Sequence, residues 1–308
     1  MSTSQAMGLG LDAGGSRTRW ALANAQGQTL AQGEVAGMSG LQMQSDAGRA
    51  ALQETLGSLA QALQATGPVA DLGLYGGFTG LGGPAEEAAM RSLMQAHLPL
   101  APQRITLTHD MDIAYRAAYA PGEGYLVYAG TGSIAAFIDA QGHTLRAGGR
   151  GPALGDEGAG YWIAREALAW VWRQEDRRPG AYQDSPMAQR LLAAVGGTDW
   201  QHSRSFMYGS DRGRIGALAL EVAATSHEDA FAHALLLRAG AALAELALHL
   251  ISRCGPRPVT AAGRALLLSP LIEQGMRAAL PPEVQLHVQP DLQAHVTAAR
   301  LAVRPEPR

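Results

Sequence analysis

The chain has 308 residues, of which 47% are hydrophobic and 17% charged, and its formal net charge is −3. These values are typical of a water-soluble globular protein of about two domains and argue against a nucleic-acid-binding protein, which needs a basic surface. The absence of lysine excludes a Walker-type phosphate loop and Schiff-base chemistry, and the single cysteine, Cys254, excludes an internal disulfide and a four-cysteine metal or iron–sulfur site.

The N-terminal residues show no basic segment followed by an apolar run, so no signal peptide is expected. No uninterrupted apolar stretch of about 20 residues occurs, which predicts that the chain does not span a membrane. Together with the single cysteine, these features favour a cytoplasmic protein. The oligomeric state is not decided by the sequence, and a homodimer stays open.

The first predicted element is a strand–turn–strand hairpin over residues 9–22. An apolar run ends in Asp12, a glycine pair and hydroxyl residues follow, and a second apolar run begins. Successive N–H groups in such a turn can form an anion-binding nest, and a carboxylate at the strand end suits a hydrated Mg²⁺. Taken alone, however, the stretch favours an ordinary hairpin with a glycine turn.

A second copy of this pattern changes the balance. Residues 124–139 again read strand, glycine–hydroxyl turn, strand, and residues 139–145 continue as residues 24–30 do. Internal duplication of a three-strand frame predicts two related lobes. The two glycine–hydroxyl turns, one on each lobe, suggest that the lobes bind a polyphosphate between them.

The first half of the chain alternates predicted strands and helices. In order, we predict three strands over 7–36, a connecting loop over 37–44 and a helix over 45–66, which is capped by Ser45 or Asp46 and ended by Gly67-Pro68. A short strand over 72–75, a glycine-rich turn over 76–80 and a helix over 84–97 follow. The last two elements are a strand over 104–108, which ends at His109-Asp110, and a helix over 111–119.

The second half begins after a lobe boundary at residues 121–124. In order, we predict a second meander to Ala147, a long loop over 148–160 and a helix over 161–173. Residues 185–253 are predicted to be mainly helical, with a loop and a short helix over 199–209 and a core helix over 230–251. A strand over 259–263, a helix over 269–280, a strand over 284–288 and a final helix over 291–303 follow. Two similar α/β lobes result.

Asp110 is the candidate general base. It lies where a strand becomes a helix, which is the usual ligand edge of an open α/β sheet, and its carboxylate can accept the proton of an attacking hydroxyl. Asp is also a common helix cap, and position alone leaves the two roles about even. Asp112 is a more exposed rival and His109 a weaker one.

The segment Gly155-Asp156-Glu157-Gly158 precedes an aromatic helix start. Its two acids could bind sugar hydroxyls or, through water, a metal, although acids that favour the dipole of a helix N-terminus explain them better when the segment is taken alone. Arg17 and Arg150 lie in glycine loops, where phosphate contacts and solvated turn arginines are equal alternatives. Three tryptophans are expected to pack in the core or between the lobes: Trp162, Trp170 and Trp172.

Four motifs occur in an order that resembles the N-acetylglucosamine kinase branch of the actin, hexokinase and Hsp70 superfamily. They are LDAGGSRT (11–18), THD (108–110), AGTGS (129–133) and GDEGAGYWIA (155–164), of which the last is the most specific. The resemblance covers nearly the whole chain. The same branch contains glucosamine kinases and the ATPase activators of benzoyl-CoA reductase, and the single cysteine argues against an activator because the activators need cysteines for a cluster.

The resemblance implies an α/β fold of two duplicated ribonuclease H-like, actin-like ATPase lobes with an interlobe cleft that holds ATP and sugar. The lobes would comprise residues 1–120, onto which a C-terminal helix over 291–308 packs back, and residues 121–290. The implied activity is ATP-dependent transfer of the γ-phosphate to the 6-hydroxyl of an amino sugar, N-acetylglucosamine or glucosamine. ATP and Mg²⁺ would be the cofactors and the small amino sugar the partner.

Residue roles follow from matching these motifs. Asp12 would hold Mg²⁺ through water, and Asp110 matches the family's base. The phosphate-binding residues would be Gly14, Gly15, Ser16, Arg17 and Thr18 in one turn and Gly130, Thr131, Gly132 and Ser133 in the other. The residues that bind the sugar would be Asp156, Gly155, Tyr75 and Gly76. Gly263 would be the glycine of the turn that binds adenosine.

Several positions depart from the family pattern and leave the sugar undecided. They are Leu41 and Met43 in place of Asn and Trp, Tyr75 in place of a serine, Phe78 in place of an acid, the turn Ala262-Gly263-Arg264 without a glycine pair, and Thr297-Ala298-Ala299 without glycine. These changes keep two alternatives open. One is a nucleotide-binding ATPase or regulator without sugar turnover, and the other is a sugar-binding module without nucleotide, which the two intact phosphate turns disfavour.

Overall fold

Two five-stranded sheets with the same strand order organise the chain. The computed structural model describes residues 7–67, 69 and 71–303. These residues divide into a first unit, which runs to Ala118 and resumes at Gln293, and a second unit, Tyr119–Leu292. Pro68 of the predicted helix stop and residues 304–308 of the predicted C-terminal helix lie outside the described residues.

The strands are β1 (Gly8–Ala13), β2 (Arg17–Ala23), β3 (Thr29–Ala36), β4 (Leu72–Phe78), β5 (Leu100–His109), β6 (Tyr125–Ala129), β7 (Ser133–Ile138), β8 (Thr144–Gly148), β9 (Val259–Ala262) and β10 (Leu286–Val288). The helices are α1 (Asp46–Gln64), α2 (Pro84–His97), α3 (Asp110–Ala118), α4 (Gly160–Arg177), α5 (Pro186–Val195), α6 (Trp200–Gly209), α7 (Arg212–Ala217), α8 (Ala219–Thr225), α9 (Ala230–Cys254), α10 (Pro270–Ala279) and α11 (Ala294–Val303).

The strand order is β3-β2-β1-β4-β5 in the first unit and, read from the other end, β8-β7-β6-β9-β10 in the second. In each sheet the three meander strands pair antiparallel, and the strands after them run parallel to the first meander strand. Every strand of one sheet therefore has a counterpart in the other. The prediction of two duplicated α/β lobes is confirmed.

The parallel strands of the first sheet place their carboxyl ends at one edge. Asp12 pairs with Gly77 of β4, and Gly77 pairs with Thr108 of β5. Asp12 and Thr108 are therefore about two strand spacings apart, or roughly 10 Å, and Asp110 follows Thr108 by two residues. This edge carries both acids that the sequence analysis selected.

Helix α11 packs directly on the backbone of the first sheet. It contacts β1, β2, β4 and α3. A Cβ on Gly8, Gly10 or Gly73 would overlap backbone atoms of this helix, at Ala299, His295 or Ala302. The three glycines thus allow a closer helix–sheet approach than any side chain would permit.

Three local predictions are wrong, and the structure gives the reasons. Strand β4 continues through the predicted glycine turn to Phe78, because it has a pairing partner on each side. Gly77 is needed there for a different reason, since a Cβ would lie 2.6 Å from Ile113 Cγ1 of α3. The loop over 37–44 contains a 3-10 helix, Gly40–Gln44, and residues 199–209 form the ten-residue helix α6.

One helix among the described residues, α9, is long and apolar enough to cross a membrane by length and composition alone. The sequence analysis expected no membrane span because no uninterrupted apolar run of about 20 residues occurs. Helix α9 meets the criterion of length and mean hydropathy even though the charged residues Arg238 and Glu245 interrupt its apolar sequence. Half of its most apolar window is buried in the protein. Core helices of soluble proteins pass the same test, so the finding is weak support for a membrane span.

Asp229 joins two helices of the second unit and is itself buried. Its Oδ1 accepts hydrogen bonds from the backbone N–H groups of Phe231 and Ala232 at the start of α9, both at 3.0 Å. Its Oδ2 accepts from Ser185 Oγ at 2.5 Å and from Met187 N at 3.2 Å, at the start of α5. One carboxylate thereby satisfies donors of two helix termini.

We expect Asp229→Ala to lower the free energy of unfolding by about 2–4 kcal/mol, because it leaves buried donors without acceptors. Asp199→Ala is the matched control, since Asp199 also caps a helix, α6, through His202 N, but its side chain is 64% exposed and its ion pair with the His202 ring lies at the surface. That change should cost about 1 kcal/mol. Urea denaturation of both variants measures the difference, and equal losses would contradict the joint role of Asp229.

Candidate functional site

The first turn, residues 14–17, connects β1 to β2. Gly14 N donates to Arg17 O at 3.1 Å, and among the described residues the N–H groups of Gly15 and Ser16 donate to no acceptor. Neither glycine adopts a left-handed φ, and a Cβ on Gly15 would meet no atom within 4 Å. The turn's own backbone therefore does not require glycine at position 15. An exposed pair of available N–H groups without side-chain bulk is suited to an approaching anion.

Two predicted phosphate-binding residues of this turn have protein partners. The Thr18 side chain is buried, and its Oγ1 accepts a hydrogen bond from Met38 N at 3.0 Å. Arg17 forms an exposed ion pair with Glu34 at 3.1 Å. Thr18 thus anchors the following segment behind the turn, whereas Arg17 lies on the surface, where such pairs contribute little stability.

Arg19 is a residue of this site that the sequence analysis missed. It is the cross-strand partner of Asp12, and its Nη2 and Nε donate to Asp12 Oδ2 at 2.8 and 3.3 Å. Both side chains are largely buried, with 19% and 25% exposure. The sequence did contain a signal for this pair, because the predicted hairpin brings positions 12 and 19 opposite each other. The pair places a guanidinium beside the first turn at the end of β1.

Asp110 opens α3 immediately after β5. Its Oδ2 accepts a hydrogen bond from Thr79 Oγ1 at 2.5 Å, and its Oδ1 accepts from Met111 N at 2.9 Å. Gly77 lets the helix start close to β4, because a Cβ there would lie 3.1 Å from Asp110 Cα. The carboxylate is partly exposed and is oriented from both the turn that follows β4 and the backbone of α3. It has the orientation and access that a base needs.

The rival acid Asp112 lies in a mostly buried cluster. Tyr75 donates its hydroxyl proton to Asp112 Oδ1 at 2.7 Å, and Arg116 Nε donates to the same oxygen at 3.0 Å. The Asp112 side chain is 16% exposed. Asp110 and Asp112 are both half-buried, so the expectation that Asp112 is the more exposed acid stays a prediction. Tyr75, a predicted sugar ligand, lies within β4 and has its hydroxyl committed to Asp112, and its neighbour Gly76 is buried in the same strand.

The second turn, residues 130–133, connects β6 to β7. Gly130 N donates to Gly132 O at 2.9 Å, and the N–H groups of Thr131 and Gly132 donate to no acceptor among the described residues. The carbonyl oxygens of Gly130 and Thr131 accept from Gly160 N and Tyr161 N, both at 3.0 Å, which fixes the turn to the start of α4. Its available N–H groups match those of the first turn.

Asp156 lies behind the second turn rather than on an open surface. It is 3% exposed and has a left-handed φ of 63°, which is rare outside glycine. Its Oδ2 accepts from Arg212 Nη2 at 2.6 Å, and its Oδ1 accepts a long bond from Ser133 N at 3.4 Å. The Ser133 hydroxyl donates to Glu157 O at 2.7 Å. These partners differ from the sugar hydroxyls that the resemblance assigned to Asp156 and the neighbouring Gly155.

Gly263 follows β9 and packs against the strand that leads into the second turn. A Cβ there would overlap the carbonyl oxygen of Ala129, and its φ of 100° also favours glycine. Its N–H donates to Pro290 O at 3.0 Å. The predicted adenosine turn is thus adjacent to the predicted phosphate turn within the same unit.

The carboxylates fit a hydrated Mg²⁺ rather than a metal held by protein alone. No group of three or more potential ligands occurs among residues 7–67, 69 and 71–303. Both recorded bonds to Asp12 end on Oδ2, which leaves its Oδ1 for a metal or for metal-bound water. Mg²⁺ commonly takes one or two carboxylates and completes its shell with water and phosphate oxygens.

The chain is similar to known proteins over most of its length. Residues 9–302 match the model of the BadF/BadG/BcrA/BcrD ATPase family. An N-acetylmuramic acid/N-acetylglucosamine kinase of Clostridium acetobutylicum is 36% identical over 75 residues, so the match spans only 24% of this chain and 24% of that curated relative.

Two crystal structures are similar over almost their whole length. A proposed N-acetylglucosamine kinase of Chromobacterium violaceum aligns with a TM-score of 0.74 and 26% identity over 98% of this chain and 100% of that one. A second proposed N-acetylglucosamine kinase, from Porphyromonas gingivalis, has a TM-score of 0.69 and 17% identity over 97% and 99%. At that identity, the second likeness shows the fold alone.

Proposed function

Because the chain belongs to the BadF/BadG/BcrA/BcrD ATPase family, we propose that it is an ATP-dependent sugar kinase. The proposed reaction transfers the γ-phosphate to the 6-hydroxyl of an amino sugar, N-acetylglucosamine or glucosamine. The names of the Clostridium acetobutylicum and Chromobacterium violaceum relatives support this substrate class. The cofactors would be ATP and Mg²⁺, and the location the cytoplasm.

One observation carries the proposal: Asp110 is oriented by Thr79 on the same sheet edge as Asp12 and the first glycine turn. Phosphoryl transfer has a loose transition state, so a kinase contributes mainly position and charge. We assign Asp110 as the base that accepts the proton of the sugar hydroxyl. Thr79 and the backbone of Met111 keep its two oxygens in place.

The glycine turns supply the phosphate contacts in this proposal. In each turn two N–H groups are available to phosphate oxygens, and Arg19 adds a positive charge beside the first turn. Asp12 would hold Mg²⁺ through Oδ1 or through water. When bound, Mg²⁺ neutralises charge on the transferred phosphoryl group. Gly263, beside the second turn, would face the adenosine.

A second function has one structural observation in its favour. Two of the predicted sugar ligands, Tyr75 and Asp156, have their polar groups bonded to Asp112 and Arg212 inside the protein. A nucleotide-binding ATPase or regulator without sugar turnover would not need them for a substrate. This alternative shares the phosphate turns and differs only in the acceptor.

A coupled ADP-release assay with a sugar panel separates the two functions. The panel contains glucosamine, N-acetylglucosamine, N-acetylmuramic acid and glucose, and 6-deoxy-N-acetylglucosamine serves as the matched acceptor without the reacting hydroxyl. We expect ADP release that depends on an amino sugar and falls to background with the 6-deoxy analogue. ADP release that no sugar stimulates would instead identify an ATPase.

A further inference from the structure

Arg212 lies against the second turn and has no assigned role. Its Nη2 forms an ion pair with the buried Asp156 at 2.6 Å, while half of its own side chain is exposed. A Cβ on Gly132 would lie 2.7 Å from Arg212 Nη2 and 2.5 Å from Asp156 Oδ1. Both charged groups therefore contact the backbone of the turn, and the glycine makes room for them.

The charges at this turn pose a physical problem for an anion site. A buried carboxylate next to the turn would repel a polyphosphate, and the interaction is strong in a medium of low polarity. A buried charge is also costly unless it is paired. Arg212 is the cation that pairs with Asp156, so it removes the repulsion and leaves a guanidinium at the surface of the turn.

The guanidinium retains capacity for a ligand. Arginine carries five N–H donors. In the part of the chain that the structure describes, the one acceptor recorded for the Arg212 side chain is Asp156. An arginine that is held by a carboxylate on one side and exposed on the other is suited to bind phosphate oxygens. No lysine is available in this chain to supply that charge.

We propose that Arg212 binds the terminal phosphates of a nucleoside di- or triphosphate at the second turn. Asp156 is the positioning residue that holds the guanidinium there. The inference rests on the proposed function for the presence of nucleotide, but not on the transfer of phosphate to a sugar. It also accounts for the burial of Asp156 and for the glycine at position 132.

Binding of ADP and of AMP, measured by calorimetry without sugar, tests this assignment. We expect Arg212→Met to weaken ADP binding about tenfold or more, the loss typical of a charge-assisted contact. AMP binding should change less than twofold, because AMP lacks the terminal phosphate. Arg214→Met is the matched control on the same helix, since Arg214 lies over the Phe206 ring at 5.0 Å, and it should leave both affinities unchanged.

The double variant R212M/D156N removes the buried charge together with its partner, so it tests the proposal even where R212M alone fails to fold. It should also bind ADP weakly and AMP normally. Wild-type ADP affinity in the double variant would overturn the proposal, as would equal weakening of ADP and AMP. A wild-type protein that binds ADP but phosphorylates no sugar would contradict the kinase and leave this test intact.

Discussion

Asp110→Asn is expected to lower kcat for sugar phosphorylation by about 10²–10⁴-fold, the contribution typical of a general base. The amide keeps the size of the side chain and can still accept from Thr79 or Met111, so the start of α3 should stay in place. ADP affinity and melting temperature should remain close to wild type. Single-turnover kinetics with the best acceptor of the sugar panel measures the chemical step directly.

Asp112→Asn is the control for this experiment, because it changes a second carboxylate two residues along the same helix. Its ion pair with Arg116 and its bond from Tyr75 indicate a structural role. We expect a lower melting temperature and a reduction in kcat that is small beside that of Asp110→Asn. If Asp112→Asn loses the larger share of kcat, the two roles are reversed and Asp110 is a helix cap.

Gly10→Ala should lower the free energy of unfolding by about 3 kcal/mol, because overpacking against rigid backbone is costly. The added Cβ would overlap the Ala299 nitrogen and the His295 carbonyl oxygen of α11. Neither atom belongs to a flexible side chain that could move away. Urea denaturation measures the loss, and amide hydrogen exchange should locate it in β1 and α11.

Gly57→Ala provides the opposite control. Gly57 lies inside α1, where a Cβ would meet no atom within 4 Å. Alanine should therefore stabilise the protein by about 0.5–1 kcal/mol through its higher helix propensity. If both glycine variants shift stability in the same direction, close packing of α11 is not the reason for Gly10.

The sequence predicted the architecture well because its signals were local. The two strand–turn–strand copies required only neighbouring residues, and Pro84 marked the start of α2 where the structure has it. Ser45, one of two predicted caps, accepts the bond from Gly48 N. The resemblance drawn from four short motifs is confirmed by the match over residues 9–302.

The errors arose where tertiary packing decides the structure. A glycine pair usually marks a turn, but Gly76 and Gly77 continue β4 because neighbouring strands pair with it and α3 packs close against it. Tyr75 and Asp112 are 37 positions apart, and Asp156 and Arg212 are 56 apart. No local pattern connects such partners. The assignment of site residues therefore stays a prediction, whereas the predicted fold is confirmed.

The placement of α11 has a consequence for biosynthesis. The ribosome makes residues 119–292 before it makes α11, the helix that covers Gly8, Gly10 and Gly73 of the first sheet. Domains generally fold as units during translation. The part of the first unit that ends at Ala118 therefore lacks its covering helix until α11 is made, whereas all residues of the second unit, Tyr119–Leu292, have been made before then.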